Sequence, residues 1–337
     1  MKTRPLGPFQ VAEIGFGCMN LSHAYATPPP PETGLRVIER ALELGITHLD
    51  TAALYGFGRN EQLVGRALRA HRDRVVLASK CGLSGVDGKR VLDGRPQTLI
   101  DTCEDALRRL GTDVIDLYYL HRADRNVPIE DSVGALAGLV ARGWIRAIGL
   151  SEVSAGTLRR AHAVHPIAAV QSEYSLWTRN PQIAVLDACR ELGAAFVAFS
   201  PLGRGFLADG AAEASALQPD DLRRTMPRFQ EPNYSRNRRL FSEFQQLAAG
   251  HGATPAQLAL AWLLQRAPHI VPIVGTTDIS HLEENVAAAA VQLTPQLCET
   301  LEQLFNERTV SGGRYSAATQ REIDTEEFPG SASLCAD

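Results

Sequence analysis

Asp50, Tyr55, Lys80 and His121 bring together a carboxylate, a phenol, an ammonium and an imidazole, each at or just beyond the end of a short apolar run. These types suit one reaction. A phenol is an acid of the kind needed to protonate a carbonyl oxygen as hydride reaches its carbon, which makes Tyr55 the candidate acid. An unperturbed phenol has a pKa near ~10, so a neighbouring ammonium is needed to stabilise the phenolate and ease proton transfer near neutrality. Lys80 supplies that charge, Asp50 can hold Lys80 in place and protonated, and a neutral His121 can donate a hydrogen bond to the carbonyl. Two other readings stay open. An Asp50–Lys80 ion pair could be purely structural, and a lysine at a strand end also suits a Schiff-base aldolase, against which Tyr55 and a partner for Lys80 speak. Four ionisable groups at corresponding strand ends are nevertheless hard to explain as packing, because burying an unpaired charge is expensive.

The elements that must position these groups are legible as eight apolar runs. They are VAEIGFG (11–17), GITHLDTA (45–52), VVLASK (75–80), VIDLYYLH (114–121), IRAIGLS (145–151), IAAVQSEY (167–174), AFVAFSP (195–201) and IVPIVGT (270–276). None alternates cleanly, as expected of parallel strands covered on both faces. Helical periodicity fills the intervals, as where Val37, Ala41 and Leu44 share one face while Arg36, Glu39 and Arg40 reach water. Repeated βα units form a closed barrel or an open doubly wound sheet, and eight units favour closure. The open sheet normally carries G-x-G-x-x-G after its first strand, whereas GFGCMN has only the first two glycines. The expected fold is an α/β, (β/α)8 TIM barrel with an N-terminal β segment, long loops at the C-terminal face and an extra C-terminal helix.

Two insertions, 81–97 and 203–238, follow strand ends on the face where barrels carry their chemistry, and the second, long and Arg-rich, reads either as a lid over a bound anion or as a tolerated surface insertion. Residues 1–315 read as one barrel domain and 316–337 as a flexible tail of low apolar periodicity. The 34 basic and 38 acidic residues give a net charge of −4 without a like-charged block, which disfavours nucleic acid and anionic membranes. A small-molecule partner is expected; composition leaves monomer or homo-oligomer undetermined. The start MKTRPLGPF has no apolar signal region and no later run is long enough to span a bilayer, so a cytoplasmic location is expected. Cys18, Cys81, Cys103, Cys189, Cys298 and Cys335 lack C-x-x-C spacing and read as reduced thiols, with no metal site.

In context, LDTAALYGFGRNEQLVGRAL, ASKCG and YYLHRAD resemble the Asp-to-Tyr, lysine and histidine segments of the aldo-keto reductases, and the resemblance extends over nearly the whole chain. It implies that Tyr55 is the acid, that Lys80 and Asp50 tune it, that His121 orients the carbonyl, and that the cofactor is NADPH. IGLSEVS and VQSEYSL resemble the segments that meet the nicotinamide amide, which implies that role for Ser151, Glu152 and Gln171. Phe199 in VAFSPLGRGFL matches an aromatic that stacks on the nicotinamide. Ser200, Leu202, Gly203 and Arg204 resemble the pyrophosphate turn. VGTTDISHLEENVAA resembles the adenosine loop and helix, which implies that Gly275, Thr276, Thr277, His281, Glu284 and Asn285 face the adenosine half. On local grounds Thr277 or Asp278 can cap that helix.

The departures concern selectivity. Asp278 stands where related NADPH enzymes often carry Lys or Arg, so NADH is an alternative cofactor. Ala53, Cys81 and Leu120 replace residues that are commonly acidic, aromatic and Gln, which is expected to reshape the pocket. Potassium channel beta subunits also resemble this family, which implies a second class of function: a cofactor-binding, redox-sensing interaction protein.

Overall fold

The computed structural model describes residues 1–25, 27–86 and 89–329. An antiparallel hairpin, β1 (Thr3–Leu6) and β2 (Phe9–Ala12), opens the chain. The barrel begins at β3 (Gly15–Gly17), followed by α1 (Pro31–Glu43), β4 (His48–Asp50), α2 (Arg59–Leu68) and β5 (Val76–Cys81). A second hairpin, β6 (Leu83–Val86) and β7 (Lys89–Leu92), precedes α3 (Pro96–Leu110). Next come β8 (Ile115–Leu120), α4 (Ile129–Ala141), β9 (Ile145–Ser151), α5 (Ala155–Val164), β10 (Ile167–Glu173), α6 (Val185–Leu192) and β11 (Ala195–Phe199). After β11 lie α7 (Phe206–Asp209), α8 (Asn233–Gly250), α9 (Pro255–Arg266), β12 (Ile270–Val274), α10 (Ile279–Ala287), α11 (Pro295–Leu304) and α12 (Ala317–Gln320). Strands β3, β4, β5, β8, β9, β10, β11 and β12 pair in parallel and in chain order, and β12 returns to β3 to close the barrel. The expected (β/α)8 barrel is the observed fold.

The first predicted strand, 11–17, is two elements. The chain turns at Glu13 and Ile14, so Phe9–Ala12 belongs to the hairpin and only Gly15–Gly17 enters the barrel. Leu6 and Val11 are fully buried and join Ala78, Leu117, Ala169, Val197 and Val271 in one apolar cluster, so the hairpin seals one end of the barrel. Space inside is tight: a Cβ on Gly149 would stand 2.3 Å from Cδ1 of Tyr119, so only glycine lets that ring fill the interior.

Helices pack on the outside through one apolar face each. On α1, Val37, Ile38, Ala41 and Leu42 are buried while Arg36 and Glu39 are exposed, as the periodicity required. Pro at the first position starts α1, and a reciprocal Thr254–Gln257 capping box starts α9.

Residues 316–329, the described part of the expected tail, lie against the barrel. Asp324 Oδ2 accepts from Ser154 N at 3.2 Å and Ser154 Oγ at 2.9 Å, and Glu326 Oε1 accepts from Ala155 N at 2.7 Å. Two carboxylates thus meet the positive end of α5, Ile323 is buried, and Asp324 N donates to Glu152 O at 3.0 Å. Polar, helix-terminal docking of this kind needs no apolar periodicity. The remainder of the expected tail, 330–337, and Cys335 within it, lie outside the described residues. The other five cysteines are free, and four of them are buried. Among the described residues no helix is long and apolar enough to cross a membrane.

Candidate active site

The carboxyl ends of β4, β5 and β8 lie side by side, and this register brings the four candidates together. The fully buried Lys80 Nζ donates to Asp50 Oδ1, to Thr51 O at 2.9 Å and to Tyr55 OH at 3.3 Å. Gln171 on β10 donates from Nε2 to the other Asp50 oxygen at 2.8 Å, so the carboxylate is held from both sides. The His121 ring meets Tyr55 edge-on, 5.8 Å between centres.

Local structure explains why Tyr55 reaches the site. Thr51 N and Ala53 N donate to Ala78 O and Lys80 O, which extends the edge of β4 along β5. The chain then reverses through Gly56, Phe57 and Gly58, all at positive φ, before α2 begins. Two of these three positions are glycine because the left-handed region costs it little. Buried Asn60 and Glu61 on α2 brace the turn from behind: Asn60 Nδ2 donates to Cys18 O at 2.8 Å, and Glu61 accepts from Ser79 Oγ and Arg109 Nε, each at 2.6 Å. Both residues lie in the quoted signature, yet their types alone resemble an ordinary solvated helix face.

The electrostatics assign protonation states. Burial would pull the Lys80 ammonium down, but Asp50 and Tyr55 outweigh it and hold the group above its ordinary value, hence charged. Burial pushes the Tyr55 phenol above its ordinary value, and Lys80 opposes only part of that rise. The expected easing by Lys80 is present, but desolvation is larger, so Tyr55 rests protonated. Burial, with the charges of Arg122 and Lys80, drives His121 well below its ordinary value, so the imidazole is neutral.

Asp50, Tyr55 and His121 open onto a cavity of about 740 Å³ that runs past Phe199 to the start of α10. Of the expected cofactor residues, Ser151, Gln171, Phe199, Ser200, Leu202, Arg204, Gly275, Thr276, Thr277, His281, Glu284 and Asn285 line it. Glu152 and Gly203 do not. Glu152 is turned away from the cavity, accepting from Arg314 Nη2 at 2.7 Å and Glu173 N at 2.9 Å, because the tail brings an arginine behind β9. Gly203 backs onto the Trp177 indole, which a Cβ would meet at 2.6 Å. Asp278 is the α10 cap, as one of the two local alternatives required: its Oδ1 accepts from Ser280 N at 2.7 Å and His281 N at 3.3 Å. Ala53, Cys81 and Leu120 are buried outside the cavity lining, so these substitutions do not reshape the pocket directly.

Part of the 203–238 segment borders the cavity. Leu222, Arg223, Thr225 and Met226 line the cavity, and Leu222 N donates to Ala24 O at 2.9 Å across it. The arginines, however, already have partners: Arg204 meets Glu173 at 2.9 Å and Arg223 meets Asp221 at 2.7 Å. Several lining residues carried no sequence signal, notably Tyr25, Arg90 and Tyr315. Tyr315 OH accepts from Arg204 at 3.0 Å, a contact between parts of the chain 111 residues apart that no spacing rule anticipates.

The Aldo/keto reductase family profile matches residues 13–306. The chain belongs to the aldo/keto reductase family. A probable aldo-keto reductase of Glycine max is 44% identical over 310 residues, covering 91% of this chain and 89% of that protein. A glycerol dehydrogenase from Gluconobacter oxydans superimposes with a TM-score of 0.82 at 27% identity, covering 97% and 98% of the two chains. An aldo/keto reductase from Klebsiella pneumoniae, solved with NADP and acetate, superimposes with a TM-score of 0.71 at 27% identity over 94% and 99%. Family membership makes this protein an oxidoreductase, and Tyr55, which lines the cavity, lies 3.3 Å from the buried Lys80.

Proposed function

We propose that this aldo/keto reductase reversibly reduces an aldehyde or ketone to an alcohol with a nicotinamide dinucleotide, Tyr55 delivering the proton. The observation that carries the reading is the Tyr55 hydroxyl, 3.3 Å from the fully buried Lys80 Nζ and facing a cavity large enough for a cofactor and a small substrate.

The cavity residues suit such a cofactor chemically. Gln171 and Ser151 offer amide and hydroxyl groups to a carboxamide, Phe199 offers an aromatic face, and the Ser200–Arg204 turn with Leu202 offers backbone groups to phosphates. Thr276, Thr277, His281, Glu284 and Asn285 line the α10 end, where an adenosine would lie. The reduced nicotinamide, when bound, supplies hydride to the carbonyl carbon. Neutral His121 donates to the carbonyl oxygen and orients it. Tyr55 transfers its proton to that oxygen, and the adjacent Lys80 charge stabilises the phenolate left behind. In the reverse direction the phenolate accepts the alcohol proton. Asp50 keeps Lys80 charged, which also weighs against an amine nucleophile of the Schiff-base type.

We propose NADPH as the cofactor, supported by the NADP-bound Klebsiella relative, with NADH the alternative because no Lys or Arg occurs among the α10-end residues named above. The test is a fluorescence titration with each dinucleotide, followed by absorbance decay on adding aldehydes and ketones. Tight binding with carbonyl-dependent oxidation is expected. Tight binding without turnover on any carbonyl would favour a cofactor-sensing interaction protein, and no binding of either nucleotide would overturn the proposal.

A further inference from the structure

Four arginines line the cavity, and three of them have carboxylate partners. Arg90 pairs with Glu322, Arg204 with Glu173 and Arg223 with Asp221. Arg122, the residue after His121, forms no ion pair among the described residues. It is 8% exposed, its Nη1 donates to His121 O at 2.6 Å and to Ser151 Oγ at 3.1 Å, and its buried Nε has no partner. A buried guanidinium without a counter-charge is costly, and here it stands beside the groups that would hold the carbonyl.

Around His121 the other cations are already matched, Arg90 by Glu322 and Lys80 by Asp50, and the imidazole itself is neutral. Asp50, a carboxylate that lines the same cavity, is already held by Lys80 and Gln171. Cofactor phosphates do not answer for Arg122, because the turn suited to them carries Arg204 and lies against Arg223, which donates to Arg204 O at 3.2 Å. Arg122 instead touches Ser151 and His121, at the carbonyl end.

We propose that Arg122 anchors a carboxylate on the substrate, so that the compounds reduced here are oxo acids or aldehyde acids rather than neutral carbonyls. Arg122 meets the carboxylate with the charge-assisted donors left unused in the fold, while Tyr55 and His121 hold the carbonyl of the same molecule. This assignment rests on the carbonyl-reductase reading.

The experiment compares para-carboxybenzaldehyde with its methyl ester, which have the same ring and aldehyde but differ in charge. The acid is expected to exceed the ester in kcat/KM by about 10- to 100-fold, mostly through KM, the scale of a hydrogen bond to a charged group. In Arg122→Gln the acid-to-ester ratio is expected to fall to near unity, and in Arg122→Lys to be retained in part. Wild-type enzyme without a preference for the acid overturns the proposal whatever the variants do. An unchanged ratio in Arg122→Gln, with both substrates slowed alike, also overturns it and makes Arg122 a brace for His121 and Ser151. If neither aldehyde oxidises the cofactor, the wider carbonyl panel decides the reductase reading, and calorimetric titration of NADP-loaded protein with benzoate and benzamide decides the anchor. Benzoate selectivity that Arg122→Gln abolishes supports it; equal binding of both ligands overturns it.

Discussion

On one side of the cavity Asp50 and Lys80 meet between adjacent strands, with Tyr55 at the third corner; on the other, Glu173 and Glu152 hold Arg204 and Arg314, with Tyr315 against the cluster. Both are buried ionic assemblies, but they differ in reach and in what they leave free. The first draws its ion pair from neighbouring strand ends and leaves a protonated hydroxyl facing the cavity. The second joins β9, β10, the loop after β11 and the C-terminal segment, and its carboxylates are consumed in holding that segment: Thr178 Oγ1 donates to Glu173 at 2.8 Å while Arg314 reaches both glutamates. Similar chemistry thus leaves a hydroxyl open to the cavity in the first assembly and ties distant parts of the chain together in the second.

The largest expected effect tests the first assembly alone. Tyr55→Phe removes the acid without disturbing the Asp50–Lys80 pair, so kcat/KM for carbonyl reduction should fall about a thousandfold while dinucleotide affinity and melting temperature stay near wild type. Turnover within tenfold of wild type would remove Tyr55 from the mechanism and with it the contrast between the two clusters.

A smaller effect on activity and a larger one on stability should mark the second assembly. Glu173→Gln leaves Arg204 and Arg314 buried with less counter-charge, and breaking such a network should lower the melting temperature by roughly 5–10 °C and open the chain after Tyr315 to proteolysis. The pH dependence has a definite sign. Against its burial, Arg204 and Arg314 hold the Glu173 carboxyl at about 2, below the ordinary value of 4.5 that applies in the unfolded chain. The stabilisation is therefore complete above pH ~4.5 and is lost as pH falls toward 2. Acid titration of melting temperature should lose this component in Glu173→Gln; identical profiles would deny Glu173 its role.

The smallest effect concerns Asp278, a carboxylate outside both clusters whose bonds are all local. Asp278→Ala should cost about 1 kcal/mol at the α10 cap and weaken NADPH and NADH alike, by at most about fivefold. A tenfold change in their affinity ratio would instead place this carboxylate against the 2′-position.

The contrast between clusters also explains how far the site was readable. Asp50, Lys80 and His121 end consecutive apolar runs of one direction, so any closed parallel barrel brings them to one rim, and Tyr55 follows five residues after the first. Glu152 resembled a cofactor residue because its own segment does, but its orientation was decided by Arg314, 162 residues away. The pairing of β6 with β7 and the docking of Asp324 and Glu326 on α5 were likewise unreadable, since neither leaves a periodic apolar trace.

Residue type and spacing were thus enough to specify the repeating βα units, the barrel and the four ionisable groups that its rim brings together. Periodicity and local spacing govern backbone geometry and which face of an element is apolar. Which charges stay unmatched, Arg122 among them, was settled only when distant loops and the C-terminal segment converged, because ionic pairing depends on distance in space and burial rather than on separation along the chain.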